Sequence, residues 1–242
     1  MEFVVLVSLS GLIIGLSKGG LLAPVAGALT LPLLSQTMTV TEAVGVTLPL
    51  FIIADVFALR FYWREWDVQI IRLMMPMALV GILIGTTLLA NLPDDSLRPI
   101  VGILTLLLIA YKLGSETLTG YNYTPRKWHG YLAGIGSGFG SALANIGGPL
   151  ATAYLLLQGF TPKSFVGTIT LYFAIINWTR VPVYFATGIL DLELLLSMAW
   201  MLPIIPFGVW LGRNGVERFD AKTFDRLMTF LLFIAALSLL VP

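Results

Sequence analysis

Two cations set inside apolar stretches, Lys18 and Arg180, are the residues from which chemistry is most directly argued. Arg180, in Asn177-Trp178-Thr179-Arg180-Val181-Pro182, lies well inside a long apolar segment. An ionisable residue at membrane depth marks function by default. A guanidinium fork suits a tetrahedral or pyramidal oxyanion. The structural alternative is an ion pair with Asp55, or a cap on a broken helix. Lys18, in Ser17-Lys18-Gly19-Gly20, either faces the same anion or snorkels to an interface. Asp55 is the deepest carboxylate. It reads as a proton or sodium site coupled to anion movement, or as the ion-pair partner of Arg180 or Arg60.

Around these residues lie two glycine-rich interruptions, Gly11 to Gly20 and Gly134 to Pro149, the second ending Asn145-Ile146-Gly147-Gly148-Pro149. Gly11, Gly15, Gly134 and Gly138 have the small-x-x-x-small spacing that packs membrane helices. Packing does not account for Lys18-Gly19-Gly20 or for Asn145 to Pro149. Gly-Gly lets the backbone unwind, and proline suits the first turn of a new helix. Half-helices beginning after Gly20 and Gly148 would aim free N–H groups at a polar chamber, a ready anion site. The expected substrate-binding set is therefore Ser17, Lys18, Gly19, Gly20, Asn145, Gly147, Gly148, Asn177, Trp178 and Arg180. Asp55 is the candidate for a coupling ion. Trp178 and Tyr172 either line the chamber or pack. Glu42, Asp191 and Glu193 read as charges at helix starts.

Composition says what solvent these residues avoid. Of 242 residues, 57% are hydrophobic and 11% charged, and the mean hydropathy is +0.92. A soluble domain carries about a quarter charged residues. The fold class expected is all-α, a polytopic integral membrane protein in contact with the lipid bilayer. A net charge of +1 gives no attraction to nucleic acid, and no nucleic-acid partner is expected. With no cysteine and one histidine, His129, thiol catalysis, disulfides and multi-histidine metal sites are excluded. No cofactor is expected. The apolar stretch from Phe3 has no basic residue before it and no small-residue cleavage signal after it, so it reads as a resident membrane segment.

A spanning helix needs about 20 apolar residues. Stretches at 40–60, 67–90, 96–114, 162–186, 192–211 and 222–241 meet that length. The regions 3–34 and 128–158 are interrupted, the second across Gly136 to Pro149, and read as hairpins of half-helices. The order repeats: one broken region, then three long helices, in 1–114 and again in 128–242, with a polar linker at 115–127. Val44-Gly45 matches Val166-Gly167, Gly81-x-x-x-Gly85 matches Gly208-x-x-x-Gly212, and Asp55 aligns with Asn177. If each broken region returns to its starting side, Arg60, Arg64, Arg72, Lys112, Arg126, Lys127, Lys163, Arg213, Arg218, Lys222 and Arg226 share one face and Arg98 the other. That satisfies the positive-inside rule. The two halves are then inverted, with both termini outside the cytoplasm. Internal repeats of this kind bind substrate where the halves meet.

Gly134 to Pro149, then Leu155-Leu-Leu-Gln-Gly159-Phe-Thr-Pro-Lys-Ser-Phe165 and Tyr172-Phe173 through Arg180, resemble the sulfite exporter TauE/SafE family. Gly15 to Gly20 resembles that family's weaker N-terminal copy. It departs from the commoner form, which has a run of glycines: here Lys18 and Leu21-Leu22 intervene. The resemblance implies a secondary transporter of sulfite, a sulfonate or another small anionic substrate in the inner membrane of a bacterium. Export, uptake of sulfonates or other organic anions, proton or sodium coupling, and a homodimer are all compatible with it. Rival classes are a small-anion channel and an intramembrane enzyme. The enzyme would need a general base for Ser137 or Ser141, and His129 falls at the membrane boundary. The chain is not expected to be an enzyme.

Overall fold

Long apolar runs with no internal polar break can satisfy their backbone only as helices in a lipid solvent. A computed structural model describes residues 2–19, 29–117, 126–197 and 199–215, with isolated positions between 230 and 240. Its elements are α1 (Glu2–Lys18), α2 (Thr30–Leu34), α3 (Val40–Phe61), α4 (Val68–Asn91), α5 (Asp94–Thr117), α6 (Lys127–Ala144), α7 (Gly148–Leu156), α8 (Pro162–Ala186), α9 (Leu192–Ser197) and α10 (Ile204–Gly215). No strand occurs among the described residues. Among the described residues, two helices, α3 and α4, are long and apolar enough to cross a membrane. The helix expected over 222–241 and much of the 115–127 linker fall outside the described residues.

Local chemistry sets the helix starts. Thr39 and Glu42 close a reciprocal capping box on α3. Asp67 accepts from the N–H groups of Gln69 and Ile70 at the head of α4. Thr161 does the same for α8 through Ser164. Glu42 and Asp191 thus have the capping roles that their positions suggest.

The interruptions are narrower than the glycine content suggests. Helix α6 runs unbroken through Gly134, Gly136, Gly138 and Gly140, and the chain leaves helical geometry only at Asn145 to Gly147. Packing explains why those glycines stay helical. A β-carbon on Gly138 would fall on the carbonyl oxygen of Ala78, and one on Gly134 on that of Met74. From the other side, one on Gly81 would meet the Ile135 carbonyl oxygen. Helices α4 and α6 therefore touch backbone to backbone. Helices α1 and α10 do the same, with Gly15 against Gly208 and Gly212 against Leu16 and Gly19, whereas Gly11 faces the Met201 side chain. A further pair of close approaches joins Gly45 to Ile189, just past α8, and Gly167 to Glu65, just past α3. Helix α1 continues through Ser17 and Lys18, and its interruption begins at Gly19.

One expected helix is not continuous. Over 192–211, α9 ends at Ser197, a single 310 turn spans Ala199–Met201, and α10 begins at Ile204. Pro203 disfavours helix at Leu202 before it, and Pro206 fits the first turn of a fresh helix, where its missing N–H costs nothing. Isolated prolines at 49, 76, 99 and 182 lie within helices that pass through them.

Buried apolar residues form two clusters. One joins α1, α2, α3, α5 and α10 with the C-terminal ends of α4, α6 and α8; the other joins α7 with the remainder of α4, α6 and α8. They meet along the seam where α3 packs on α8. Leu83, Leu107, Phe185 and Leu196 are exposed, as lipid-facing positions are. A Gly138→Ala variant should lose about 1–3 kcal/mol, because its new methyl meets main chain that cannot turn aside. Gly114→Ala, with open space at its β-carbon, should melt at or slightly above the wild-type temperature. Thermal unfolding of the two variants in one detergent checks the contrast.

Candidate functional site

The buried charges lie on the seam between the two clusters. Helix α3 carries Asp55 and helix α8 carries Asn177 and Arg180, with Asp55 and Arg180 each 1% exposed. At the end of α1, the Lys18 ammonium forms an ion pair with Asp55. Asn177 Nδ2 donates to Asp55 Oδ2 at 2.7 Å, and Asn177 Oδ1 accepts from Arg180 Nη1 at 3.3 Å. Arg180 Nη2 donates to Asn145 Oδ1 at 3.1 Å. Asn145 Nδ2 in turn donates to Thr47 Oγ1 on α3 at 2.7 Å. One connected network thus runs from the end of α1, through α3 and α8, to the break between α6 and α7.

Its charge is unbalanced. Two cations, Lys18 and Arg180, face one carboxylate, and Asp55 is spoken for by Lys18. Arg180 has no carboxylate partner among the described residues. Neutral acceptors hold it instead: Asn177, Asn145 and the Tyr184 hydroxyl, which takes Nε at 3.0 Å and Nη2 at 2.6 Å. The Tyr184 hydroxyl passes its own hydrogen to the Ala142 carbonyl at 2.5 Å. A guanidinium has five N–H donors, and four of these bonds are made inside the protein. One Nη1 hydrogen is left for a further acceptor. Burying a cation without a counter-charge costs several kcal/mol. An anion would offset that cost.

Beside this network the chain breaks. Asn145 takes the left-handed conformation, φ 56°, and ends α6. Gly147 follows as the uncapped start of α7, with Pro149 in its first turn. Gly147, Gly148 and Pro149 are all buried. A buried helix start with no capping side chain leaves amide donors to be met otherwise. Asn145 serves both purposes here. Its backbone turns the chain and its side chain orients Arg180.

The family model described as Sulfite exporter TauE/SafE matches residues 7–239. The chain belongs to that family. It is therefore a member of a family of membrane-integral transporters. No curated protein and no solved structure matches it.

In this TauE/SafE member the expected site residues divide. Lys18, Asp55, Asn145, Asn177 and Arg180 come together. Trp178 does not: it is 59% exposed, because a residue two positions from Arg180 lies about 200° round the helix. Ser17, in the last turn of α1, makes no hydrogen bond to the network among the described residues. Gly19 packs its Cα close to Gly212, and Gly20 lies outside the described residues. Gly147 has a packing role as well, since a β-carbon there would strike the Ser137 carbonyl and the Ser141 hydroxyl.

Sequence reasoning missed Tyr184, Thr47, Phe51 and Phe173. Tyr184 is four residues from Arg180, the spacing that stacks side chains on one helix face; that signal was there to be read. The Phe51 and Phe173 rings lie 5.8 Å and 5.6 Å from the Lys18 ammonium, which gives the cation a partly apolar wall.

Proposed function

We propose that this protein is a secondary transporter, by alternating access, of a small sulfur-containing oxyanion such as sulfite or an organosulfonate, with export the primary direction. The anion is held by Arg180 and Lys18, with Asn145 orienting the guanidinium and the uncapped start of α7, at Gly147 and Gly148, contributing amide donors. Asp55 is the coupling site for a proton or sodium ion. The protein crosses the inner membrane of a bacterium several times. The observation that carries this reading is the buried network with two cations to one carboxylate, set beside an uncapped helix start.

The two halves are inverted repeats in this reading, and their broken regions enter from opposite faces. Swapped pairings support it. The small-residue motif of α4 meets the first arm of the second broken region, and that of α10 meets the first arm of the first. Asp55 and Asn177, which align between the halves, hydrogen-bond to each other. Rocking of one apolar cluster against the other along the α3–α8 seam would open the network to each side in turn. Transport rather than catalysis fits the serines. The Ser137 hydroxyl is buried against the Tyr172 hydroxyl at 2.6 Å and the Gly134 carbonyl at 3.0 Å. His129 Nδ1 accepts from the Arg126 N–H at the head of α6.

The test is a thermal-shift series of the purified protein with sulfite, sulfoacetate, taurine, isethionate, sulfate and phosphate, followed by flux in proteoliposomes. A ligand that binds only the folded state raises the midpoint as occupancy grows. Accumulation of the stabilising anion against its own gradient separates a transporter from a channel, which only equilibrates it. Asn145→Gly is the informative variant. Glycine keeps the left-handed turn without strain but removes the side chain that fixes Arg180. Anion affinity should fall about tenfold as the guanidinium loses its aim, and the unliganded midpoint should drop as well, because the bonds to Arg180 and Thr47 are lost. Unchanged affinity would remove Asn145 from the site.

A further inference from the structure

We propose that the anion and Asp55 compete for Lys18, so that each anion bound is accompanied by one proton taken up on Asp55. This rests on the reading of the Lys18–Arg180 chamber as the anion site.

The geometry of the ion pair points this way. Asp55 Oδ2 is fixed by the Asn177 amide, whereas Oδ1 has the Lys18 ammonium and no hydrogen-bond donor besides it among the described residues. The two partners differ in access: the Lys18 side chain is 15% exposed and that of Asp55 1%. The ammonium is thus the more accessible end of the pair, carried on the last turn of α1. An incoming anion draws it away, and the Phe51 and Phe173 rings beside it offer no replacement acceptor. With the charge of Arg180 answered by the anion, Asp55 is then left as a buried carboxylate without a counter-charge, a state costing several kcal/mol. A proton on Oδ1 relieves it. One O–H bond forms, the proton comes from the water that admits the anion, and Asn177 keeps its hold on Oδ2. Because anion and proton enter together, the chamber keeps its charge, and a monoanion is carried electroneutrally.

Few other titratable or charged groups face Asp55. From α1 there is Lys18, and from α8 there are Arg180, through Asn177, and Tyr184, on Arg180's far side. Those described on α5, namely Asp94, Asp95 and Arg98, are at its start, where Asp94 meets the head of α3. Those of α6 are at its start too, α2 and the described side chains of α10 carry none, and Glu193 of α9 is exposed. On α3 itself, Glu42 and Arg60 lie near its two ends. The sign follows. At low pH Asp55 is neutral and Lys18 is free, so affinity reaches its plateau. As pH rises Asp55 charges and recaptures Lys18, and affinity falls about tenfold per pH unit, the slope for one linked proton.

Isethionate and methanesulfonate serve as probes, because a sulfonate remains a monoanion throughout this range. Titration calorimetry of the whole purified protein, in two buffers of different ionisation heat, reads the protons taken up per anion. Close to one is expected for wild type. For Asp55→Asn, binding should persist with no proton uptake and no pH dependence. Binding by wild type without proton uptake overturns the exchange while leaving the anion site standing; this arm needs no variant. Continued pH dependence in Asp55→Asn also overturns it. Failure of both probes to bind wild type at any pH overturns the anion site itself, and the exchange with it.

Discussion

Replacing Arg180 with lysine should weaken anion binding by about 100-fold or more, although the charge is kept. The guanidinium is held by Asn177, Asn145 and twice by Tyr184, and that hold aims its remaining Nη1 hydrogen. An ammonium on a shorter, flexible stem cannot make those bonds together. It leaves the Tyr184 hydroxyl and two amide oxygens without their donor. Hydrogen bonds to charged groups contribute about 1.5–3 kcal/mol each, and about 1.4 kcal/mol is a factor of ten. Losing the fork's contact to the anion, together with its orientation, accounts for the expected two decades. Arg180→Gln should go further. It removes the excess positive charge, so sulfite and sulfonates should no longer raise the melting temperature, while the unliganded protein should lose little stability. The pair of variants separates geometry from charge. A lysine variant that binds and transports as well as wild type would show that the guanidinium is scaffolding for α6 and α8.

Much of this arrangement is legible in the sequence. Apolar length placed α3, α4 and α8, because a lipid solvent leaves a long uncharged segment little choice but to be helical. Asn145-Ile146-Gly147-Gly148-Pro149 announced a break, because no other residues suit a left-handed turn followed by a proline-led helix start as well. Arg180 stood out by charge alone. What the chain did not disclose is which partners meet across helices. Asp55 could be read as facing Arg180 or Arg60, and only packing decides that Lys18 reaches it while Asn177 intervenes before Arg180. Thr47 carries no local mark at all. Two errors were avoidable. Helical rotation already puts Trp178 on the far face from Arg180, and Pro203 with Pro206 already argues against one rod over 192–211. The glycines of α6 misled for another reason. Their tendency to unwind is overridden by close contact with α4, which sequence spacing suggests but cannot weigh.

The buried charges should also respond unequally to removal, and the inequality tests whether the network is counted correctly. Asp55→Leu leaves the buried Arg180 and the partly buried Lys18 as two cations with no carboxylate among the described residues around them. Breaking a buried pair from one side costs about 3–5 kcal/mol, and the upper end is expected here because the remaining charges repel. Lys18→Met leaves Asp55 with Arg180 nearby through Asn177, a neutral total, and should cost clearly less. The double variant restores the wild-type excess of one positive charge. Replacing a whole buried pair by apolar side chains is often close to neutral, so it should melt near wild type. The coupling in this double-mutant cycle should therefore be large and should reside mostly in the Asp55 arm. Added sulfonate sharpens the test. In Asp55→Leu the anion supplies the missing negative charge, so it should recover more stability there than it adds to wild type. Equal midpoints for Asp55→Leu and wild type would mean that the Asp55 carboxylate does not balance Lys18, and the charge count behind the anion site would fail with it.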